Sequence, residues 1–438
     1  MKKFFPCIFL VLFLFSACNG NTFSKTKNTE KLDFSDGYIL NSTTTGSYGI
    51  LSCDNNGDGE ATSSLSQSAN GQNITLQGEM RGVWLSYYEI DVDNNKNTRE
   101  GYASYIDSLC NNFRQYGITD AFVHVRPYAD ALYRSSVYPS SVYTGVQQGE
   151  QAPFDLLEVI CEVMGQYNIR VHAWVNPYRV HNGSDINELS QDNKARQWYK
   201  EGSAEDVAVV GGKIYFNPAS AKAQQLVIDG VREILQNYPV AGIHIDDYFY
   251  PPECGNFDTQ QYNSYLMAGG NLALDDWRRE NVNSLVRSLY ATVKSFGEDK
   301  LFSVSPAGNI NNNYTGLYAD VALWSKGGYA DMIIPQIYFG FEHSTHGFEK
   351  CVADWYALKG EGVKMSVGLA LYKSGTEDSF AGDGKNEWQQ STDIISRQVQ
   401  YLRETGGDGF VIFSTQYLTD GSDTVERELE NLKQYLNN

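Results

Sequence analysis

The chain has 438 residues and a formal net charge of −19, with 53 Asp and Glu against 34 Lys and Arg. That balance argues against nucleic acid as a partner, because neutralising phosphates needs clustered Lys and Arg. Hydrophobic residues at 42% and charged residues at 20% are ordinary for a globular protein, and the length allows one large domain or two of common size.

The first residues, MKKFFPCIFLVLFLFSAC, combine a basic start, an apolar run from Phe4 to Phe15 and small residues before Cys18. The spacing predicts a secretory signal peptide over 1–17 rather than a spanning helix. The ending LFSAC resembles a bacterial lipobox, which makes Cys18 the expected lipidated first residue of an exported protein held to the membrane or cell envelope. Residues 18–77 are rich in Ser, Thr, Asn and Gly and read as a flexible polar linker. Within it, DNNGDGE (Asp54 to Glu60) imitates the start of a calcium loop, but Leu65 stands where a bidentate acid is needed, so a polar linker accounts for it better. Cys53, Cys110, Cys161, Cys254 and Cys351 are scattered, with neither zinc spacing nor a disulfide framework.

From Met80 an alternation begins. Strand-like runs fall at 81–87, 120–127, 170–177, 242–249, 301–308, 331–339, 364–371 and 409–416, each followed by a helical pattern such as SAKAQQLVIDGVREILQNY. Eight such repeats over 78–438 predict a (β/α)8 TIM barrel. Long stretches without clear periodicity follow strands two, three and four, at 129–153, 178–217 and 250–271. No glycine-rich phosphate turn follows any strand, which weakens a doubly wound sheet and points to no cofactor.

In a barrel of this kind the site lies at the carboxyl ends of the strands. Several strands end in polar and aromatic residues: HVRPYAD, HAWVNPYR, HIDDYFYPP, PQIYFGFE and FSTQ. With a period of two, His244, Asp246 and Tyr248 share one face of the fourth strand, and Asp247 sits at its rim. Adjacent acids repel, so one keeps its proton towards neutral pH; an acid beside a carboxylate is what glycosidic cleavage needs. The plainer role for one Asp is to cap the next helix or to pair with Arg126 or Arg179. The abundance of Tyr (30) and Trp (7) adds flat faces on which sugars stack, with Trp174 and Tyr338 the expected platform. His124, His172 and His244 lie on successive strands; they face substrate, satisfy the barrel interior, or converge on a metal in a metal-dependent hydrolase. With no metal spacing in the sequence, His172 and His244 are counted with the substrate-facing residues.

The stretches MRGVWLSY, VHVRPYADALYRSSVYPSSVYTG, VHAWVNPYRV, GIHIDDYFYP, WRRENVNSLV, FSVSPAGN and DMIIPQIYF together resemble the glycosyl-hydrolase-like family 10 domain of bacterial envelope proteins, over about 80 to 415. The resemblance implies a (β/α)8 barrel acting on envelope glycans, with peptidoglycan strands stripped of their stem peptides as the associated substrate. It carries cleft roles onto Arg126, Asp130, Trp174, Asn176, Arg179, Asp246, Asp247, Tyr248, Gln336 and Tyr338.

Many barrel glycosidases draw a second carboxylate from strand seven, but SVGLALYKSG offers none before Glu377. The partner is expected from Asp247, Asp130 or Glu342. Substrate-assisted cleavage, in which a 2-acetamido oxygen is the nucleophile, would need only one acid and a second to orient the amide. The expectation is a lipid-anchored glycoside hydrolase with Asp246 and Asp247 as catalytic residues; the alternatives are a non-catalytic glycan-binding lipoprotein and the metal-dependent hydrolase.

Overall fold

The computed structural model describes residues 78–93, 96–203, 205–251, 253–419 and 421–437. The signal peptide, Cys18, the linker and its calcium-like loop lie outside the described residues.

Eleven strands are present among the described residues: β1 (Met80–Leu85), β2 (Asp120–Arg126), β3 (Arg170–Val175), β4 (Arg179–His181), β5 (Val207–Val210), β6 (Lys213–Phe216), β7 (Gly242–Ile245), β8 (Leu301–Val304), β9 (Met332–Ile333), β10 (Lys364–Ala370) and β11 (Gly409–Phe413). Eight of them close into a barrel in the order β1-β11-β10-β9-β8-β7-β3-β2, every pairing parallel. The fold is the expected (β/α)8 barrel, and each strand-like run of the sequence supplies one barrel strand. Helices cross between them and start on side-chain caps: Thr98 accepts from the Gly101 N–H at 3.1 Å, Asp155 from Glu158 at 3.1 Å and Ser220 from Ala223 at 3.1 Å.

Two apolar bodies hold the barrel. The larger lies between strands and helices and takes the outward residues, among them Val123, Ile243, Ile245, Val304 and Ile412. The smaller fills the lumen with Met80, Trp84, Phe122, Trp174, Met332, Ile334 and Val411. The barrel is therefore packed, and only its carboxyl end can hold a site. Gly242 opens β7 because a Cβ there would stand 2.0 Å from the Leu301 carbonyl oxygen of β8.

Two features differ from the sequence expectation. The stretch 178–217 folds into an antiparallel sheet of order β4-β6-β5 with the helix Lys194–Lys200. The run 331–339 yields only the short β9, because Pro335 has no N–H to extend the ladder. Beyond it, single bridges tie Gln336 to Ala307 and Gly368.

Candidate active site

β7 carries the centre of the site. His244 points into the lumen between outward Ile243 and Ile245, and Asp246 continues the inward face one step past the strand. Asp246 is 2% exposed, whereas Asp247 keeps part of its surface open. Neighbouring strand ends supply the donors. The Trp174 indole N–H donates to Asp246 Oδ2 at 2.9 Å, the Asn176 amide to the same oxygen at 3.3 Å, and the Tyr248 backbone N–H approaches Oδ1 at 3.4 Å. Gln336, past the end of β9 two strands away, bonds the Asp247 carboxyl and donates to the Ser305 carbonyl at 3.0 Å.

Burial pushes the Asp246 carboxyl up to about 7, with the adjacent Asp247 charge adding to it and the Trp174 and Arg179 contacts opposing. Burial also pushes Asp247 up to about 6, against its hydrogen bonds and the Arg179 charge. Two carboxyls so placed share a proton towards neutral pH, leaving one group able to protonate and one able to stabilise positive charge.

Arg179 lies over the rings of Tyr128 and Tyr248, 4.7 Å and 4.6 Å from their centroids, and donates to the Tyr128 hydroxyl at 3.0 Å. Asn176 fixes its backbone by accepting from the Arg179 N–H at 3.0 Å. Among the described residues neither Asp246 nor Asp247 forms an ion pair with Arg126 or Arg179. Tyr338 is partly buried, edge-on to Tyr372 with centroids 5.8 Å apart. Trp174 is only 7% exposed, and His124 covers one ring face at 3.6 Å. Its indole holds Asp246 in place and offers little open platform on that side.

Other expected residues are not brought to the pair. His172 lies deeper in the lumen, donating to Asp120 at 2.8 Å and stacked on Phe122 at 4.7 Å. His244 accepts from the Trp84 indole at 3.1 Å through Nε2, so Nδ1 carries the proton towards Ser303 Oγ at 2.8 Å. Burial holds His244 and His124 well below the usual imidazole range, hence neutral. The three strand histidines thus face different partners, and among the described residues no cluster of three or more His, Cys, Asp or Glu could hold a metal.

Arg126 is turned away by a bulge that pairs it with Val175 and leaves Val125 out of register. It is 1% exposed, donates to the carbonyls of Asn176 and Pro177, and lies over Tyr138 at 4.7 Å. Its place is to support the strand end that presents Asn176 and Arg179. Asp130 is 3% exposed beneath the loop after β2, accepting from Gln148 at 2.7 Å, and burial raises it to about 6. Glu342 and Glu377 are exposed, the latter paired with Lys385 at 3.4 Å.

Sequence reasoning passed over Tyr87, Tyr128 and Glu89. Tyr87 packs edge-on against His124 and Tyr128, and its hydroxyl lies 3.3 Å from that of Tyr128. Glu89, 7% exposed and raised by burial to about 7, accepts from the Ser414 hydroxyl at 2.7 Å and the Gln416 N–H at 2.6 Å, tying the ends of β1 and β11 together. Tyr87 and Glu89 follow β1 directly, so position at a strand end was the available signal. A separate groove of about 430 Å³, lined by Thr98, Arg134, Phe154 and Glu158 among others, shares no residue with this site.

Residues 79–383 match the glycosyl hydrolase-like 10 family. The glycosyl hydrolase YngK of Bacillus subtilis strain 168 is 32% identical over 324 residues, which span 69% of this chain and 62% of that protein, under two thirds of its length. The glycosyl hydrolase DigH of Escherichia coli K12 is 28% identical over 339 residues, 69% of this chain and 76% of that protein. Among solved structures, the PgaB glycoside hydrolase domain of Bordetella bronchiseptica gives a TM-score of 0.57 at 12% identity, covering 82% of this chain and 99% of that one. A β-galactosidase of Marinomonas ef1 gives 0.53 at 9%, covering 81% and 59%. At such identities the structures share the fold alone. With the family match over most of the barrel, the chain belongs to the glycosyl hydrolase-like 10 family.

Proposed function

We propose that this chain is a lipid-anchored glycoside hydrolase that cleaves glycosidic bonds of a cell-envelope glycan, peptidoglycan strands lacking stem peptides. The observation that carries the proposal is the carboxyl pair at the end of β7, both members raised by burial and both held by side chains of other strands. Asp247, the more open of the two, meets the glycosidic oxygen as general acid in the form of the pair whose shared proton sits on it, the minority form because Asp246 is the more strongly raised. Asp246, anchored by Trp174 and Asn176, supplies the second function, either negative charge beneath the anomeric carbon or an acceptor that orients a 2-acetamido N–H. Trp174 and Asn176 keep its oxygens aimed, and the raised values place the acid and its partner near neutral pH, where such a pair is most effective. The two relatives named as glycosyl hydrolases support the reaction class.

The test is incubation of the purified protein with isolated glycan strands, with and without stem peptides, followed by mass analysis of the products. New reducing ends from the peptide-free strands alone are expected. Binding of those strands without any new reducing end would favour a glycan-binding lipoprotein instead.

A further inference from the structure

The stretch FSVSPAGN carries β8 to its carboxyl end, beside the strand that bears the acid pair. Its two serines are placed differently. Ser303 lies opposite His244 in the ladder and bonds its ring in the lumen at 2.8 Å, whereas Val304 faces outward. The ladder runs one bond further, from the Ser305 N–H to the Ile245 carbonyl at 2.8 Å, so Ser305 stands level with Asp246. Alternation returns its side chain to the lumen side, the side of Asp246. Ser305 is 1% exposed, and among the described residues its hydroxyl has no hydrogen-bond partner. A buried hydroxyl without a partner costs stability, so packing gives no reason for it where Ala would serve.

Asp246 has an oxygen to match. Oδ2 takes both the Trp174 and the Asn176 donors, while Oδ1 has only the Tyr248 backbone N–H at 3.4 Å. Both strong donors come from the β3 side of β7; β8, on the other side, offers Ser305, whose hydroxyl can turn about χ1. The charges that face Asp246 are Asp247 beside it and Arg179 from β4. Burial holds the Tyr248 phenol above its usual range, hence neutral, and the ends of β3 and β8 add no titratable group. Burial favours the proton on Asp246, yet cleavage needs it on Asp247 with Asp246 ionised.

We propose that Ser305 is a positioning residue for the shared proton: under a bound sugar its hydroxyl donates to Asp246 Oδ1, which holds Asp246 ionised and leaves the proton on Asp247. The proton that leaves Asp246 is the one Asp247 gains, so the pair keeps one proton and one negative charge. When the glycosidic C–O bond breaks, that proton goes to the leaving oxygen. The inference rests on the glycan-cleaving reading of the pair and adds the group that selects its productive form. A hydrogen bond to a charged acceptor suffices, shifting the ratio of the two forms by about tenfold.

The experiment uses the full chain with peptide-free glycan strands. Ser305→Ala and Ser305→Cys both remove the strong donor, and Cys keeps the space filled. In each, kcat should fall about tenfold with KM unchanged. The alkaline limb of the kcat profile should move up, because Asp246 then holds its proton more tightly in the complex. The limbs of the kcat/KM profile, which report the free protein, should stay. Tm should not fall, since no hydrogen bond of the free protein is lost. Binding supplies a readout without turnover. With Asp247→Asn removing the second acid, calorimetry near pH 7 in buffers of different ionisation heat counts the protons exchanged on binding glycan; adding Ser305→Ala should increase proton uptake. Parental kcat in Ser305→Cys, or proton uptake unchanged by Ser305→Ala, would overturn the inference. The expected proton exchange without any turnover would keep Ser305 and sink the hydrolase; turnover by the parent with both variants unaffected would do the reverse. A chain that binds no glycan would sink both.

Discussion

The behaviour of Asp246 and Asp247 follows from where their charges sit. Asp247 is held at about 6, above the ordinary carboxylate range near 4, chiefly by burial. The folded chain therefore binds this proton more tightly than the unfolded chain does. Stability contributed by the group is fully present below about pH 4 and is lost as pH rises through about 6. Asp247→Asn removes that loss. The variant should be more stable than the parent at pH 8, by at most about 1.4 kcal/mol for each tenfold difference in proton affinity between folded and unfolded chains, and Tm values should converge at pH 4. A gap that does not change between pH 4 and pH 8 would contradict the burial account. Trp174→Phe tests the neighbouring contact. It keeps a ring against His124 but removes the N–H that favours the Asp246 anion. The alkaline limb of the pH–rate profile should then move up by about one pH unit, since a lost charge-assisted hydrogen bond costs roughly that much. An unmoved limb would mean that Trp174 does not tune the pair.

At the level of elements, the β7–β8 contact leaves no room for a side chain. Gly242→Ala would drive a Cβ against the Leu301 carbonyl, and denaturant unfolding should register a loss of about 3 kcal/mol. A loss under about 0.5 kcal/mol would mean that the strands part freely. The barrel strands were legible in the sequence because each couples an apolar alternation to a polar, aromatic ending. The pair at 246 and 247 was legible because alternation along GIHIDD assigns one acid inward and the other to the rim. Depth along the barrel axis was not: His172 and Trp174 share a face, but pairing of Asp120 with Arg170 sets His172 low, beside Asp120, and Trp174 high, beside Asp246. Nor could alternation foresee the bulge that turns Arg126 aside. The sheet after β3 left a weaker trace. VAVVGGKIYF carries a two-glycine hairpin turn, with φ of 56° at Gly211 and 76° at Gly212, but strands of four residues are too short for periodicity to stand out.

For the whole molecule, the fold is a closed (β/α)8 barrel of the glycosyl hydrolase-like 10 family in a chain of net charge −19. Among the described residues no helix is long and apolar enough to cross a membrane. Attachment, as we propose it, falls to Cys18, whose acyl chains must number two or more for stable retention. Cys18→Ala should release the protein from the membrane fraction or block its processing; full retention with membranes would rule out the anchor.

The most direct measurement is turnover of a peptide-free glycan by Asp246→Asn and Asp247→Asn, with thermal unfolding recorded on the same samples. Asn keeps the shape of Asp and removes its proton chemistry. Each variant should fold and should lose about 10²–10⁴-fold in kcat, the usual contribution of a general acid–base group. Near-parental turnover in both variants, or collapse of both folds, would contradict a catalytic role for the pair.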